Sequence, residues 1–263
     1  RQFGSLPRYQ PCANLALVFD EVESGRSSYG VVPVENAFEG AVGETLDLFA
    51  SVERNVSVCA EIQLAIHHQL LSWATDVAAI EVIYSHPQAL AQCHGWLQEH
   101  CPDAVLIETE STAKAAAKLL ECREDDQRGM AMAAIAPMEV AERHGIPVLA
   151  PNIEDHHDNT TRFFVIGRHD SPPSGEDKTA LLMSVKDMPG ALYRLIEPFA
   201  KRGIGLTRIE SRPSKRKLWE YVFFADIRGH RDDERVREAI NEVAAMEGGF
   251  IRVLGSYPVS RPL

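Results

Sequence analysis

The stretch Asp170-Ser-Pro-Pro-Ser-Gly-Glu-Asp177 divides the chain into two parts of different rhythm. Adjacent prolines flanked by Ser and Gly continue neither a helix nor a central strand, so this segment reads as a linker. Before it, apolar runs alternate between strand and helix periods. Residues 29–34 read as a buried strand, followed after Glu35-Asn36 by a helical pattern ending near Phe49. Residues 81–84 form another strand, and 87–100 have helical spacing with Leu90, Cys93 and Leu97 on one face. Residues 130–136 lead as a strand into a helix over 138–144, which Gly145 stops. Residues 163–166 are a further apolar strand. Strands alternating with helices predict α/β layers with largely parallel pairing.

Beyond the linker the order becomes strand, helix, strand, strand, helix, strand. The strands fall at 180–185, 205–209, 219–227 and 250–254. One helix carries Leu192, Leu195, Ile196, Phe199 and Ala200, the other Val236, Ile240 and Val243. A βαββαβ order is the ferredoxin-like arrangement. Pro198 inside the first helix removes a hydrogen bond and predicts a kink. The expected domains are 1–169 and 178–260.

Composition narrows the function classes. The formal net charge of −11 argues against a nucleic-acid partner, and the one dense basic cluster, Arg212, Lys215, Arg216 and Lys217, reads as a solvated turn. No apolar run reaches the ~18 residues that cross a bilayer, and the first residues lack a charged-then-apolar signal pattern. The five cysteines are odd in number and none is spaced C-x-x-C, which indicates neither a disulfide framework nor a thiolate zinc site. A soluble cytoplasmic protein is expected, with no membrane and no nucleic-acid partner.

Three strand ends in the first part stop on small polar residues. They are Val34-Glu35-Asn36-x-x-Glu39-Gly40, Tyr84-Ser85-His86-Pro87-Gln88-Ala89-Leu90-Ala91-Gln92-Cys93 and Asn159-Thr160-Thr161-Arg162-Phe163. Ligands of α/β sheets gather where strand ends face helix N-termini, because free N–H groups there attract anions. Taken singly, ordinary capping explains Ser85 and an ordinary turn explains Asn159.

Together, in this order and spacing, the three segments resemble the prephenate dehydratases. Asp187-Met-Pro-Gly-Ala-Leu192, Glu210-Ser-Arg-Pro213 and Leu254-Gly-Ser-Tyr-Pro258 resemble the ACT regulatory domain that such enzymes carry. The resemblance spans essentially the whole chain and is nearest to the dehydratase and regulatory parts of bifunctional enzymes that also carry a chorismate mutase. It implies a periplasmic-binding-protein-like fold of two α/β subdomains around a cleft, joined near Leu70 and Pro151, followed by the ACT domain. It also implies conversion of prephenate to phenylpyruvate with loss of water and CO2, feedback inhibition by L-phenylalanine, and a homodimer or homotetramer.

By that resemblance Thr161 is the hydrogen-bond donor to the leaving hydroxyl, strengthening as the C–O bond breaks. Asn36, Ser85, Asn159, Thr160 and Phe163 line the substrate, and Arg162 either clamps a carboxylate or braces the loop. Asp187, Gly190, Ala191, Leu192, Glu210 and Ser211 form the phenylalanine site. No metal and no organic cofactor is implied. Two departures stand out. The 263 residues begin, at Arg1-Gln2-Phe3-Gly4, where the family's first helix would be ending, downstream of its G-P-x-G-[TS]-[FY] turn, and Ala37 stands where most relatives carry Ser.

Other clusters read more plainly. Consecutive side chains of an extended segment point opposite ways, so Asp155-His156-His157-Asp158 and His67-His68 read as polar segments rather than metal ligands. Glu35 reads as an acceptor for backbone N–H groups rather than a general base. Two other functions stay open on these residues: a non-catalytic phenylalanine-binding regulator, and a dehydratase of arogenate, the amino analogue of prephenate.

Overall fold

The computed structural model describes residues 8–51, 54–122, 131–214 and 221–260. Arg1–Gly4, Met130, Lys215, Arg216, Lys217 and Trp219 lie outside these residues. The chain forms two compact units, one of residues 1–64 and 160–263, the other of residues 65–159. The crossings therefore fall at 64/65 and 159/160 rather than near Leu70 and Pro151. The reason is local: His67 and His68 each bond to Glu154 inside the second unit.

The first unit opens with α1 (Leu15–Glu23), started by the Asn14 side chain, whose Oδ1 accepts the Leu17 N–H at 2.9 Å. It continues with β1 (Tyr29–Asn36), β2 (Gly40–Ala41), α2 (Gly43–Ala50) and β3 (Ser57–Ala65). The second unit holds β4 (Gln69–Leu71), β5 (Val82–Ser85), α3 (Pro87–Gln92), α4 (His94–His100), β6 (Val105–Glu108), α5 (Thr112–Cys122), β7 (Met132–Ala136), α6 (Met138–His144) and β8 (Val148–Ala150). The chain then returns to the first unit as β9 (Thr160–Gly167). After the linker come β10 (Asp177–Ser184), α7 (Ala191–Lys201), β11 (Leu206–Pro213), β12 (Tyr221–Arg228), α8 (Glu234–Ala244) and β13 (Phe250–Pro258).

The expected parallel pairing fails in the first unit. Its sheet runs β2-β1-β9-β3, and β1 pairs with both β2 and β9 antiparallel. Strand β9 arrives only after the whole second unit has been inserted, so the direction of its return is not written in local periodicity. The second unit's sheet, β6-β5-β7-β4-β8, is parallel across β6, β5 and β7 and antiparallel at β4. The single helix expected over 87–100 is two, broken at Cys93.

The C-terminal sheet has the order β11-β12-β10-β13, all antiparallel, as a ferredoxin-like domain requires. Helix α7 continues through Pro198, which is buried with Leu195 and Phe199. Strand alternation gives this sheet two apolar faces. Leu181 and Met183 pack with Leu195, Phe199, Val236 and Val243 of the helices. Ala180, Leu182, Phe224, Leu254 and Tyr257 instead share one core with Phe19, Val32, Val34, Phe49, Val58 and Phe164 of the N-terminal layer. Gly255 permits that approach, since a Cβ there would collide with the Val58 backbone. Among the described residues, no helix is long and apolar enough to cross a membrane.

Candidate active site

Antiparallel pairing of β1 and β9 sets Asn36 directly opposite Thr161, and Glu35 opposite Arg162. The register shifts between Pro33, which faces Phe163, and Glu35, so one extra residue of β1 is accommodated just before the polar rungs. Asn36 is 7% exposed. Its Oδ1 accepts the N–H groups of Phe38 (3.0 Å) and Glu39 (3.2 Å), which fixes the turn after β1. With Oδ1 so engaged, Nδ2 must face the other way, and it donates to Thr161 Oγ1 at 2.9 Å. A hydroxyl that accepts from an amide leaves its own proton available to another acceptor. Thr160 contributes its carbonyl, which accepts the Ala37 N–H at 2.9 Å.

The remaining residues expected at the substrate sort differently. Ser85 is fully buried at the end of β5 and donates to the Ile135 carbonyl at 2.8 Å, so its proton is already committed inside the sheet. His86 rather than Ser85 caps α3, its Nδ1 accepting the Gln88 N–H, and Pro87 takes the first helical position. Asn159, 2% exposed, donates through Nδ2 to Gln92 Oε1 at 3.0 Å, and the same oxygen stands 2.8 Å from His68 Nε2. Gln92 was not singled out from the sequence, and His68 was read only as part of a polar segment. Gln92 lay inside a matched segment, but its side chain's role depends on partners 24 and 67 residues away.

Of the two roles expected for Arg162, clamping a carboxylate or bracing the loop, its contacts are those of a brace. All of its guanidinium nitrogens are engaged: Nε donates to Glu61 (2.8 Å), Nη1 to Asp226 (2.5 Å) and Nη2 to the Tyr257 hydroxyl (2.9 Å). Burial alone would lower its pKa, and the charge of Asp226, then of Tyr257 and Glu61, raises it well above the ordinary value. The Glu35 carboxylate, expected to accept backbone N–H groups, is placed against guanidinium groups, Arg208 at 3.1 Å and Arg162 at 4.0 Å.

Three of the second unit's histidines meet Glu154. His67 Nδ1 lies 2.8 Å and His157 Nδ1 3.4 Å from its Oε1, and the His68 N–H donates to Oε2. Burial pushes the Glu154 carboxyl up, but these donors outweigh it and hold the group below the usual range. Asp155 accepts the N–H groups of Gly95 and Trp96, both at 2.9 Å, and so serves the first turn of α4. Among the described residues no group of three His, Cys, Asp or Glu is placed to hold a metal ion.

The Prephenate dehydratase family matches residues 1–171, nearly two thirds of the chain, and the ACT domain matches residues 179–245. The chain belongs to the prephenate dehydratase family. A bifunctional chorismate mutase/prephenate dehydratase of Aquifex aeolicus is 48% identical over 256 residues, which is 97% of this chain and 68% of that protein. A crystal structure of prephenate dehydratase in complex with L-Phe from Arthrobacter aurescens superposes with a TM-score of 0.83 at 35% identity, covering 96% of this chain and 82% of that one. A quorum quenching acylase, GqqA, has a TM-score of 0.84 at 28% identity, covering 99% of this chain and 92% of that one. One fold thus carries unlike chemistries, and the nearer identity together with the family match assigns this chain to the dehydratases. It is a dehydratase of prephenate with an ACT domain, an enzyme of aromatic amino acid biosynthesis.

In the ACT domain, Gly190 takes φ 78° and ψ 14° at the start of α7, with Asp187 in the turn before it and Ala191 and Leu192 in the first helical turn. Glu210 and Ser211 are consecutive on β11, so they face opposite sides of the sheet. Glu210 shares the half-buried side with Arg208 and Arg212, and Ser211 shares the exposed side with Thr207 and Ile209.

Proposed function

We propose that the Thr161 hydroxyl is the group that carries the chemical step, donating a hydrogen bond to the ring hydroxyl of prephenate as it leaves. The electron pair of the bond to the departing carboxylate enters the ring as CO2 is released, the C–O bond breaks, and the hydroxyl leaves as water with a proton supplied by solvent. A donor aimed at that oxygen stabilises charge that exists only as the bond breaks. The observation that carries the reading is the 2.9 Å contact from Asn36 Nδ2 to Thr161 Oγ1, with the amide oriented by its own two N–H partners. Asn36 and the backbone around Thr160 and Phe163 then shape the substrate's surroundings, while Ser85 and Asn159 act by holding strand and loop ends in place.

Thr161→Ala is expected to lower kcat by on the order of 10²–10³, as for loss of one preorganised donor. KM should change little, and Thr161→Ser should retain most of the rate. Near-normal kcat in Thr161→Ala removes the residue from the step. Failure of the wild-type chain to turn over prephenate, together with hydrolysis of amides, would move the reading toward the acylase. L-Phenylalanine is proposed as an inhibitor bound by the segments at Asp187–Leu192 and at Glu210–Ser211, across subunits of a homodimer or homotetramer. Support comes from the outer position of β11, whose Thr207, Ile209 and Ser211 are exposed. A cytoplasmic location fits five cysteines that are all free thiols.

A further inference from the structure

The rung next to Asn36–Thr161 is held from behind by the regulatory sheet. Cross-strand partners share a face and neighbours along a strand alternate, so Glu35 and Arg162 project to the side opposite Asn36 and Thr161. There all four ACT strands meet them or their partner Glu61 with one polar group each. Lys178 of β10 donates to Glu61 at 2.8 Å, and Arg208 of β11 stands 3.1 Å from Glu35. Asp226 of β12 and Tyr257 of β13 both hold Arg162. The cluster is deep: Glu61 is 1% exposed, Asp226 2% and Tyr257 0%. The Arg162 guanidinium also lies 4.9 Å from the centroid of the Phe164 ring.

The rest of this interface is largely apolar, with polar contacts from Arg212 to Asp47 and from Arg252 to the Phe49 and Ser51 carbonyls at its side, and apolar packing would have sufficed for adhesion. Burying several charges costs desolvation that only close, directional pairing offsets, so such a cluster fixes geometry more than it adds stability. What it fixes is the backbone of β9 at Arg162, one residue from the catalytic threonine. We infer that Asp226 and Tyr257, although in the regulatory domain, are positioning residues for Thr161, acting through the Arg162 guanidinium. The inference rests on the reading of Thr161 as the donor.

Steady-state kinetics on the full chain test it with a double-mutant cycle. Tyr257→Phe keeps the ring in the core and removes only the hydroxyl; Asp226→Asn keeps the shape and removes the charge. Each is expected to lower kcat about tenfold or more with KM unchanged, as small displacements of a reacting group do. Asp226→Glu should recover part of the loss. In a Thr161→Ala background the same substitutions should cost little further, because the group they position is gone. An equal fall in both backgrounds, or an unchanged kcat in Tyr257→Phe, overturns the inference. Near-normal kcat in Thr161→Ala alone overturns instead the donor reading beneath it. Should Asp226→Asn fail to fold, the Tyr257→Phe cycle decides by itself.

Discussion

Asn36 settles which way the hydrogen bond to Thr161 runs, and that polarity is testable. In Asn36→Asp the carboxylate can still accept from the Phe38 and Glu39 N–H groups, so the turn is kept. Its second oxygen, however, has no proton to give, and Thr161 must donate to it instead. The hydroxyl proton is then spent inside the protein, and kcat is expected to fall by on the order of 10²–10³ with little change in melting temperature. Equal kcat in Asn36→Asp and wild type would show that the direction of this bond is irrelevant. The residue types at this site were readable in the sequence, because Asn and Thr at paired strand ends supply donors wherever the strands meet. Arg162 was not. Its partners lie 101, 64 and 95 residues away on strands of two different sheets, and only the tertiary register reveals that they engage its whole guanidinium. The Ser85 bond to Ile135 was equally hidden, since an exposed cap and a hydroxyl committed to a neighbouring strand have the same local sequence.

At the level of elements, periodicity located the ACT elements and β1, β5, β7 and β9 of the first part, but it passed over α1, β3, β4, β6, α5 and β8 and did not show how elements join. The helical stripe Leu90, Cys93 and Leu97 is real, and all three side chains are buried. Yet the helix breaks at Cys93, and the new start at α4 is served from 60 residues away by Asp155. Gly95 leaves room for this, since a Cβ there would lie 3.0 Å from Asp155 Oδ1. The acidic, His-rich segment 155–158 is thus in part a distant capping device. Asp155→Ala strips acceptors from two N–H groups and is expected to cost about 1 kcal/mol. For a chain of this size that is about 2–4 °C in melting temperature, readable by calorimetry. An unchanged melting temperature would mean that water replaces the carboxylate without loss. Pairing direction belongs to the same class of unreadable facts: β1 and β9 pair antiparallel across the inserted second unit, and neither strand's composition encodes that direction.

Across the whole molecule, the boundary that is clearest in sequence, the linker at 170–177, is not a boundary in the core. One face of the ACT sheet is continuous with the N-terminal layer, and Glu61 lies within that contact between two cations, Arg162 and Lys178. Burial alone would raise the Glu61 pKa, but the Arg162 charge, the Lys178 hydrogen bond and the Ser260 N–H outweigh it and hold the carboxyl below its ordinary value. The sign of the pH dependence follows. A carboxyl whose pKa is lower folded than unfolded stabilises the fold at every pH above its unfolded value, about 4.3. That contribution disappears as pH falls from there through the folded value, when the native carboxylate must take up a proton. Unfolding free energy measured by denaturant between pH 7 and pH 3 should therefore decline below about 4.3. Glu61→Gln should lower stability near neutrality by about 3 kcal/mol, since it leaves two buried cations with one acceptor group fewer. It should also flatten the acid limb, so that the variant and wild-type curves approach each other as pH falls. Two curves separated by the same amount at every pH would mean that the Glu61 charge plays no part in joining the two layers.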